Sequence, residues 1–457
     1  MMRTRRLVTV AFVAGSVLAA PLAAQVTVPR LNVEKYTLDN GLEVILHSDR
    51  SVPLVAVHMY YKVGSGDEKP GRTGFAHLFE HIMFMGSAHV PVGSFDTWLE
   101  SAGGNNNGTT NQDRTTYYET MPSNALPLAL WLEADRLGFL LPTMDLKKVD
   151  LQRDVVKNER RQSYDNQPYG RSYETLLAAA YPAAHPYSWP TIGSMADLGA
   201  ASLDDVKDFF RTYYAPNNAS LVVAGDFDRD SVKQLVKRYF SGIPRGPTMP
   251  PRPQPEPVVL DADKYLVLED RVQLPRTYWF WHTAKAYSDD DATLDMVASI
   301  LAGDKASRLY KKLVYELQIA QDVNASQGSE KLAGQFQVSV TAKPGQAPQA
   351  VARIVDAEIA KLIASGVTQR ELDRARNSTL SRFLDRLASD LGKADQLNHY
   401  NAFVGTPDFV QQDAARYAAL TPADIQRVAR KYLGAHKVVL TVVPTGKPEL
   451  MVKGVAQ

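Results

Sequence analysis

The 457-residue sequence predicts an α+β protein built from two similar halves. The length exceeds the roughly 250–300 residues at which a single core stops growing, so more than one domain is expected. A proline-rich stretch lies near the middle of the chain, and the order strands, helices, late strand occurs on both sides of it. We therefore expect an internal duplication of an α+β unit of roughly 200 residues.

The first residues predict a secretory signal peptide. Three arginines precede an apolar run at 7–20 that is too short to span a bilayer, and small residues at Ala23 and Ala24 suit cleavage after Ala24. We expect residues 1–24 to be removed and the mature chain to be periplasmic, the alternative being an N-terminal membrane anchor. No later stretch is apolar enough to predict a membrane span in the mature chain.

The proline-rich stretch predicts a linker. Seven of the fourteen residues from Pro244 to Pro257 are proline, a composition that favours extended structure. This segment, 244–257, would separate a first domain at 25–243 from a second at 258–457. A long loop within one domain is the alternative, but long structureless loops are uncommon in compact domains.

Each half begins with strand-like segments and then turns helical. The first half predicts strands at 42–46 and 54–61, helices near 73–87, 94–102, 125–138, 146–164, 170–180 and 203–213, and a late strand at 219–224. The second half predicts strands at 264–268 and 277–281, helices near 290–302, 305–316, 346–364, 368–388 and 422–432, and a late strand at 437–443.

Composition excludes several classes of function. The chain has no cysteine, which excludes disulfides, thiolate metal sites and cysteine nucleophiles, so any metal must be bound by His, Asp or Glu. There are 51 basic and 50 acidic residues, a net charge of +1. Because no basic stripe is present, we expect no nucleic-acid partner.

The clearest motif is the segment Gly74–Phe84, which contains His77, Glu80 and His81. At helical pitch His77 and His81 stand one turn apart on one face, a separation at which two imidazoles can hold one zinc ion. Glu80 lies beside them and could act as a general base on water. An amphipathic helix with incidental histidines is the alternative, but His-x-x-Glu-His is the inverted motif of one group of zinc peptidases.

A catalytic zinc site needs a third protein ligand, and the remaining histidines form no second pair. A polar helix around 149–165 could supply an acidic side chain. The sequence alone does not choose between Glu159 and its acidic neighbours, and an ordinary solvated helix face is the alternative interpretation.

The chain resembles the pitrilysin-type (M16) zinc metallopeptidases over nearly its whole mature length. Beyond the His77 motif, the resemblance includes Gly103 and Gly104 with Asn107, Thr110, Asp113, Thr115 and Tyr117, and also Val155–Glu159, His185–Tyr187, Ile192 and Gly193, Tyr214–Asn218, and Gly225 and Asp226. The resemblance implies that His77, His81 and Glu159 bind Zn²⁺ and that Glu80 is the general base. It also implies two halves that each contain an antiparallel sheet flanked by helices.

The stretch Gly103–Tyr118 combines a Gly/Asn-rich turn with residues that favour strands. An edge strand beside the metal could bind an extended peptide through main-chain hydrogen bonds, whereas a surface hairpin is the alternative. In the M16 family the corresponding strand and its Asn contact substrate. We therefore expect Asn107, Gly104 and Thr110 to bind the peptide.

The chain departs from its family at two places. Many relatives carry a second Glu seven residues before the ligand Glu, and here that position is Gln152, a neutral amide that can still hydrogen-bond near the metal. Active relatives also carry an Arg and a Tyr in the second half that position peptide and stabilise the oxyanion, and here Val314 and Gln321 stand at these positions.

These observations predict a zinc-dependent endopeptidase that acts on oligopeptides or unfolded segments. Because the Arg and Tyr are absent, we expect a related M16 subunit to supply them in a heterodimer. A non-catalytic subunit that binds peptide or serves as an assembly scaffold is the alternative. A periplasmic solute-binding protein would fit the leader and the two halves but would leave the histidine motif unexplained.

Overall fold

Two β-sheets, one in each half of the chain, organise residues 28–454, which are the residues that the computed structural model describes. The first sheet contains β1 (Val33–Thr37), β2 (Glu43–Ser48), β3 (Leu54–Tyr61), β4 (Asn105–Thr110), β5 (Thr115–Pro122) and β6 (Ala219–Gly225). The second contains β7 (Lys264–Asp270), β8 (Arg276–Thr283), β9 (Ala320–Ser329), β10 (Gly334–Ala342) and β11 (Val438–Pro444). The predicted signal peptide at 1–24 lies outside the described residues.

The two sheets share one topology. Their strand orders are β1-β2-β6-β3-β5-β4 and β7-β11-β8-β10-β9, which are the same once the extra edge strand β1 is set aside. In the first sheet the late strand β6 lies between β2, to which it is parallel, and β3, to which it is antiparallel. In the second sheet β11 lies in the same way between β7 and β8. The predicted α+β fold with two similar halves is therefore confirmed, with one parallel pair in each otherwise antiparallel sheet.

Helices flank both sheets. In the first half they are α1 (Phe75–Ile82), α2 (Ser94–Ser101), α3 (Leu126–Phe139), α4 (Leu146–Arg160), α5 (Ser172–Ala180), α6 (Met195–Ala200), α7 (Leu203–Tyr213) and α8 (Arg229–Phe240). In the second half they are α9 (Asp291–Ala302), α10 (Pro348–Ser365), α11 (Gln369–Leu387), α12 (Asp390–Val404), α13 (Val410–Ala418) and α14 (Pro422–Leu433). The helix expected near 305–316 contains a π-helix at Tyr310–Glu316, and α6, α8, α12 and α13 were not predicted. Within residues 28–454, no helix has the length and apolar character needed to cross a membrane.

Each half contributes one helix to the other half's sheet. Helix α12 packs on β3 and β6, where its Ala394 and Leu397 are buried against Ile45, Ala56 and Val222. Helix α5 packs on β11 and β8 of the second sheet, in an apolar cluster that includes Leu176, Leu177, Phe280 and Leu440. A helix of each half thus covers one face of the other half's sheet, and we call α5 and α12 the exchanged helices.

The proline-rich segment 244–257 contains no helix or strand. Its Arg252 is held by the first half, with Nε donating to Asp67 at 2.9 Å and Nη1 donating to Asp113 at 2.7 Å. Asp113 also accepts a 2.7 Å hydrogen bond from the backbone N–H of Lys331, in the second half. A single fully buried carboxylate therefore joins the linker to both halves.

Candidate metal centre

Helix α1 presents a polar face because its apolar residues point into the first core. Phe75, Leu78, Phe79 and Ile82 are buried there, whereas His77, Glu80 and His81 lie on the partly exposed side. The helix begins after Gly74, which has φ of +89°. A Cβ at Gly74 would lie 2.8 Å from the carbonyl oxygen of Ile192, so both the backbone conformation and the space require glycine.

The structure brings Glu159, near the end of α4, to the two histidines of α1. Its Oε2 atom lies 3.3 Å from Nε2 of His81 and 3.7 Å from Nε2 of His77. One ligand atom from each of the three residues lies within 4.8 Å of the others, and within residues 28–454 no other group of His, Asp and Glu does so. The acidic neighbour Asp154 is not part of the group, so geometry favours Glu159 over it.

This donor set fits zinc. Two imidazole nitrogens and one carboxylate oxygen are typical of catalytic zinc sites, which leave a further position open. Nε2 of His77 faces Glu159, and the other ring nitrogen, Nδ1, is buried without a hydrogen-bond partner in the described part of the chain. Burial lowers the pKa of His77 to about 4, which keeps this ring neutral and able to bind a metal near neutral pH.

The pKa values of Glu159 and Glu80 shift in opposite directions. The hydrogen bond with His81 lowers the pKa of Glu159, so this carboxyl is anionic, as a ligand must be. Burial raises the pKa of Glu80, and a 2.6 Å hydrogen bond from the Thr110 hydroxyl to its Oε2 opposes that shift. A carboxyl with a raised pKa that is fixed by a neighbour suits proton transfer.

Strand β4 passes directly beside Glu80. A Cβ at Gly108 would lie 3.1 Å from Cγ of Glu80, so glycine permits this close approach. The strand is the last in its sheet and pairs only with β5, which confirms the expected edge strand. Within residues 28–454, no other strand pairs with its outer edge.

The structure places the three expected substrate-binding residues along this strand. Asn107 is exposed at mid-strand, and its side-chain oxygen accepts a 2.8 Å hydrogen bond from the N–H of Gly108. Gly104 lies just before the strand, where a Cβ would be 3.1 Å from the Cβ of Met121. The hydroxyl of Thr110 is committed to Glu80, so its contact is with the candidate base.

An open cleft of about 420 Å³ adjoins Glu80 and His81. Its other lining residues are Phe84, Asp96, Glu100 and the asparagines 105–107. Sequence reasoning missed Phe84, Asp96 and Glu100. The spacing of Asp96 and Glu100, one helical turn apart, was the available signal, but it does not reveal which side of α2 faces the site.

A buried ion cluster supports the wall of this cleft. The guanidinium of Arg136 bonds Glu133 and Glu119, all three side chains being almost fully buried. The guanidinium also lies over the rings of Phe95 and Tyr117, at 4.5 and 4.3 Å from their centroids. The Tyr117 hydroxyl donates to the backbone oxygen of a residue in α1, which connects the cluster to the helix that carries the histidines.

The structure shows the contacts of the residues that depart from the family pattern. The amide of Gln152 donates to the sulfur of Met85 at 2.7 Å. Val314 is partly buried against the second core, and Gln321 is exposed on β9. Nearby Arg308 is held by Glu371 through hydrogen bonds of 2.7 and 3.0 Å, so it is not free to replace the absent Arg.

Comparisons with known proteins find relatives that match nearly the whole chain. The chain is 30% identical over 441 residues to the zinc protease PqqE of Helicobacter pylori, which covers 94% of this chain and 96% of that one. The crystal structure of a protease from Helicobacter pylori superimposes with a TM-score of 0.86 at 27% identity, covering 91% of this chain and all of that one.

A second solved structure supports the fold alone. The periplasmic protease PqqL from Escherichia coli matches with a TM-score of 0.76 at 18% identity, over 93% of this chain and 49% of that one.

Residues 43–193 match the family model described as insulinase (peptidase family M16), and residues 200–379 match the one described as peptidase M16 inactive domain. The chain therefore belongs to the M16 peptidase family.

Proposed function

We propose that this protein is a zinc-dependent endopeptidase that hydrolyses oligopeptides or unfolded polypeptide segments. The observation that carries the proposal is the convergence of His77, His81 and Glu159 beside Glu80 and the free edge of β4. The similarity to a protein named zinc protease, over 94% of the chain, supports the same chemistry.

In this proposal His77, His81 and Glu159 hold the metal. When bound, Zn²⁺ would polarise the scissile carbonyl and make water more acidic. Glu80 takes a proton from the attacking water and passes it to the leaving amine. Thr110 holds Oε2 of Glu80 through its 2.6 Å hydrogen bond, which orients the carboxylate for both transfers.

We propose that the peptide binds by extending the first sheet at β4. An edge strand offers main-chain N–H and C=O groups along its free side, so an extended peptide can pair with it while contributing little sequence preference. Asn107 and Gly104 lie along that edge. A segment that is already paired and packed within a folded domain is not available for this pairing, so we propose oligopeptides and unfolded segments as the substrates.

We further propose that a related M16 subunit completes the site. Val314 and Gln321 provide neither the guanidinium nor the phenol that the family resemblance leads one to expect, and Arg308 is occupied by Glu371. Loss of an oxyanion donor typically lowers the rate about 10²–10³-fold, so turnover needs another source of these groups. A heterodimer in which the second chain supplies Arg and Tyr meets this need.

The remaining proposals concern location and domains. We propose that the chain is exported to the periplasm, with cleavage near Ala24. The support for export is the early sequence, in which three arginines precede an apolar run at 7–20. We also propose a zinc-binding domain at 25–243, a linker at 244–257 and an M16-like domain at 258–457.

The test of the proposed function is the substitution Glu80→Gln in the purified mature chain, assayed alone and with a candidate M16 partner. Peptide cleavage should be abolished while zinc, measured by atomic absorption, stays bound at one ion per chain, because the substitution removes the base and leaves the ligands. Retained cleavage would contradict the role of Glu80. Glu256→Gln, at an exposed glutamate of the linker, is the matched control and should keep both activity and zinc.

The alternative function is a non-catalytic subunit that binds peptide or acts as an assembly scaffold. The specific observation in its favour is the presence of Val314 and Gln321, together with the match of residues 200–379 to a family model described as an inactive domain. Assays of the chain with and without a candidate M16 partner separate the two functions. Zinc binding with no cleavage under either condition would favour the scaffold, and a cleavage rate of the chain alone that no partner changes would contradict the heterodimer.

A further inference from the structure

The cleft beside Glu80 carries excess negative charge. Three carboxylates line it, those of Glu80, Asp96 and Glu100, and among its lining residues there is no lysine or arginine. Asp96 and Glu100 stand one helical turn apart on α2, so both project from the same side of that helix. The charges of Asp96 and Glu100 therefore lie on the side of the cleft that α2 forms, and the asparagines of β4 line the same cleft.

The two carboxylates on α2 have no partner of their own. In the described part of the chain neither forms an ion pair or a side-chain hydrogen bond. Other helical acids of this protein pair with an arginine three residues later, as in Asp150–Arg153, Asp208–Arg211 and Asp373–Arg376. Helix α2 has no basic residue in its sequence, so its two acids remain available to a ligand.

The mechanism indicates which residue of a peptide enters this cleft. Glu80 delivers a proton to the leaving amine, so the residue that bears this amine lies beside Glu80. Besides Glu80 and His81, the cleft is lined by Phe84, which follows His81 by three residues, and by the two acids of α2. The side chain that follows the scissile bond would thus extend along Phe84 towards Asp96 and Glu100.

A lysine or arginine side chain matches this arrangement. Both have an apolar stem that can lie on an aromatic ring and a cationic head that remains in a polar, partly solvated place. Phe84 would contact the stem, and the two carboxylates would receive the head. A glutamate at the same position would instead meet two like charges.

We infer that Asp96 and Glu100 select a lysine or arginine immediately after the scissile bond. This inference rests on the proposed peptidase function, because it uses the position of Glu80 to place the substrate. It names a property of substrates that β4, through backbone contacts alone, does not provide.

The first arm of the test measures cleavage. Fluorogenic peptides of one sequence would carry lysine, arginine, norleucine or glutamate at a single position, with products identified by mass spectrometry. We expect kcat/KM to be roughly tenfold higher for lysine than for glutamate, with norleucine between, as two partly exposed ion pairs allow. The preference should shrink at high salt, because screening weakens exposed pairs.

The second arm removes the charges. In the double variant Asp96→Asn, Glu100→Gln, lysine and norleucine peptides should be cleaved at similar rates, and Glu100→Lys should favour glutamate. Asp230→Asn is the matched control, since Asp230 also lies in the first turn of a helix but away from the cleft. Its preference should equal that of wild type.

A binding arm separates failure of this inference from failure of the proposed function. The zinc-loaded Glu80→Gln chain, titrated with labelled peptides, should bind the lysine peptide severalfold more tightly than the glutamate peptide. Cleavage or binding that ignores this residue would overturn the inference and leave the peptidase function standing. Selective binding with no turnover by wild type, either alone or with an M16 partner, would support the inference and contradict the peptidase, whereas neither binding nor cleavage would overturn both.

Discussion

The hydroxyl of Thr110 on β4 donates a 2.6 Å hydrogen bond to Oε2 of Glu80 on α1. This bond connects the strand on which a peptide would lie to the group that would move the proton. Gly108, two residues earlier on the same strand, permits the contact because a larger residue would meet the Glu80 side chain. The orientation of the Glu80 carboxylate is thus set by a residue of β4.

Thr110→Val should lower kcat about tenfold, because the isosteric side chain keeps the packing and removes the donor that orients Glu80. Steady-state kinetics on a peptide substrate and the zinc content of the variant check this. Thr110→Ser retains a hydroxyl and should keep most of the activity. Equal losses in both variants would show that the hydrogen bond is not responsible.

Glu159→Gln should weaken zinc binding by more than the roughly 10–100-fold typical of changes outside the ligand set, because a neutral amide replaces an anionic ligand. Competition with a chromophoric chelator gives the affinity. Added zinc should raise the unfolding temperature of wild type far more than that of the variant, since only a bound ion stabilises the native state. Asp154→Asn, at an exposed aspartate of the same helix, is the control and should bind zinc normally.

Arg136→Met should lower the free energy of unfolding by about 3–5 kcal/mol, because it leaves Glu119 and Glu133 buried without their cation. Urea denaturation followed by circular dichroism measures the change. Arg211→Met breaks a pair with Asp208 in which both side chains are more than half exposed. That control should change stability by less than about 1 kcal/mol.

Asp295→Asn should make stability less dependent on pH. Asp295 on α9 accepts a 2.6 Å hydrogen bond from the Tyr417 hydroxyl, and burial raises its pKa to about 7. Between about pH 4 and 7 the native chain therefore holds a proton that the unfolded chain has released, so wild-type stability falls as pH rises through this window.

At pH 7.5 we expect the Asp295→Asn variant to be about 4 kcal/mol more stable than wild type, because the amide has no charge to bury. Near pH 4 the two proteins should have the same stability. Urea unfolding at several pH values gives both results. A constant difference at every pH would show that Asp295 does not titrate in this range.

The metal motif and the repeated architecture were predictable because both depend on short-range patterns. His77 and His81 are one helical turn apart, so the sequence itself places them on one face. The choice of Glu159 was not available in this way, since it depends on how α4 packs against α1. The sequence did not predict that Asp96 and Glu100 line the cleft for the same reason, because the side of α2 that faces the cleft depends on how the helix packs.

The helices that were missed show a second limit of sequence patterns. Helix α12 buries residues on most of its surface, including Asp390, Lys393 and Asn398, so it lacks the single apolar stripe by which surface helices are recognised. Its polar residues are satisfied by distant partners: Asn398 donates to the His58 backbone oxygen at 2.9 Å and accepts from Ser220 at 2.6 Å. Such pairings between the halves have no counterpart in local sequence.

The exchanged helices α5 and α12 also impose an order on folding. The first sheet is synthesised early, but the face formed by Ile45, Ala56 and Val222 stays uncovered until α12, near the end of the chain, has been made. Until then the amino-terminal half would expose this apolar face, and exposed apolar surface makes a folding intermediate prone to aggregate. Although the fold contains two cores, neither half can be separated from the other without exposing an apolar face.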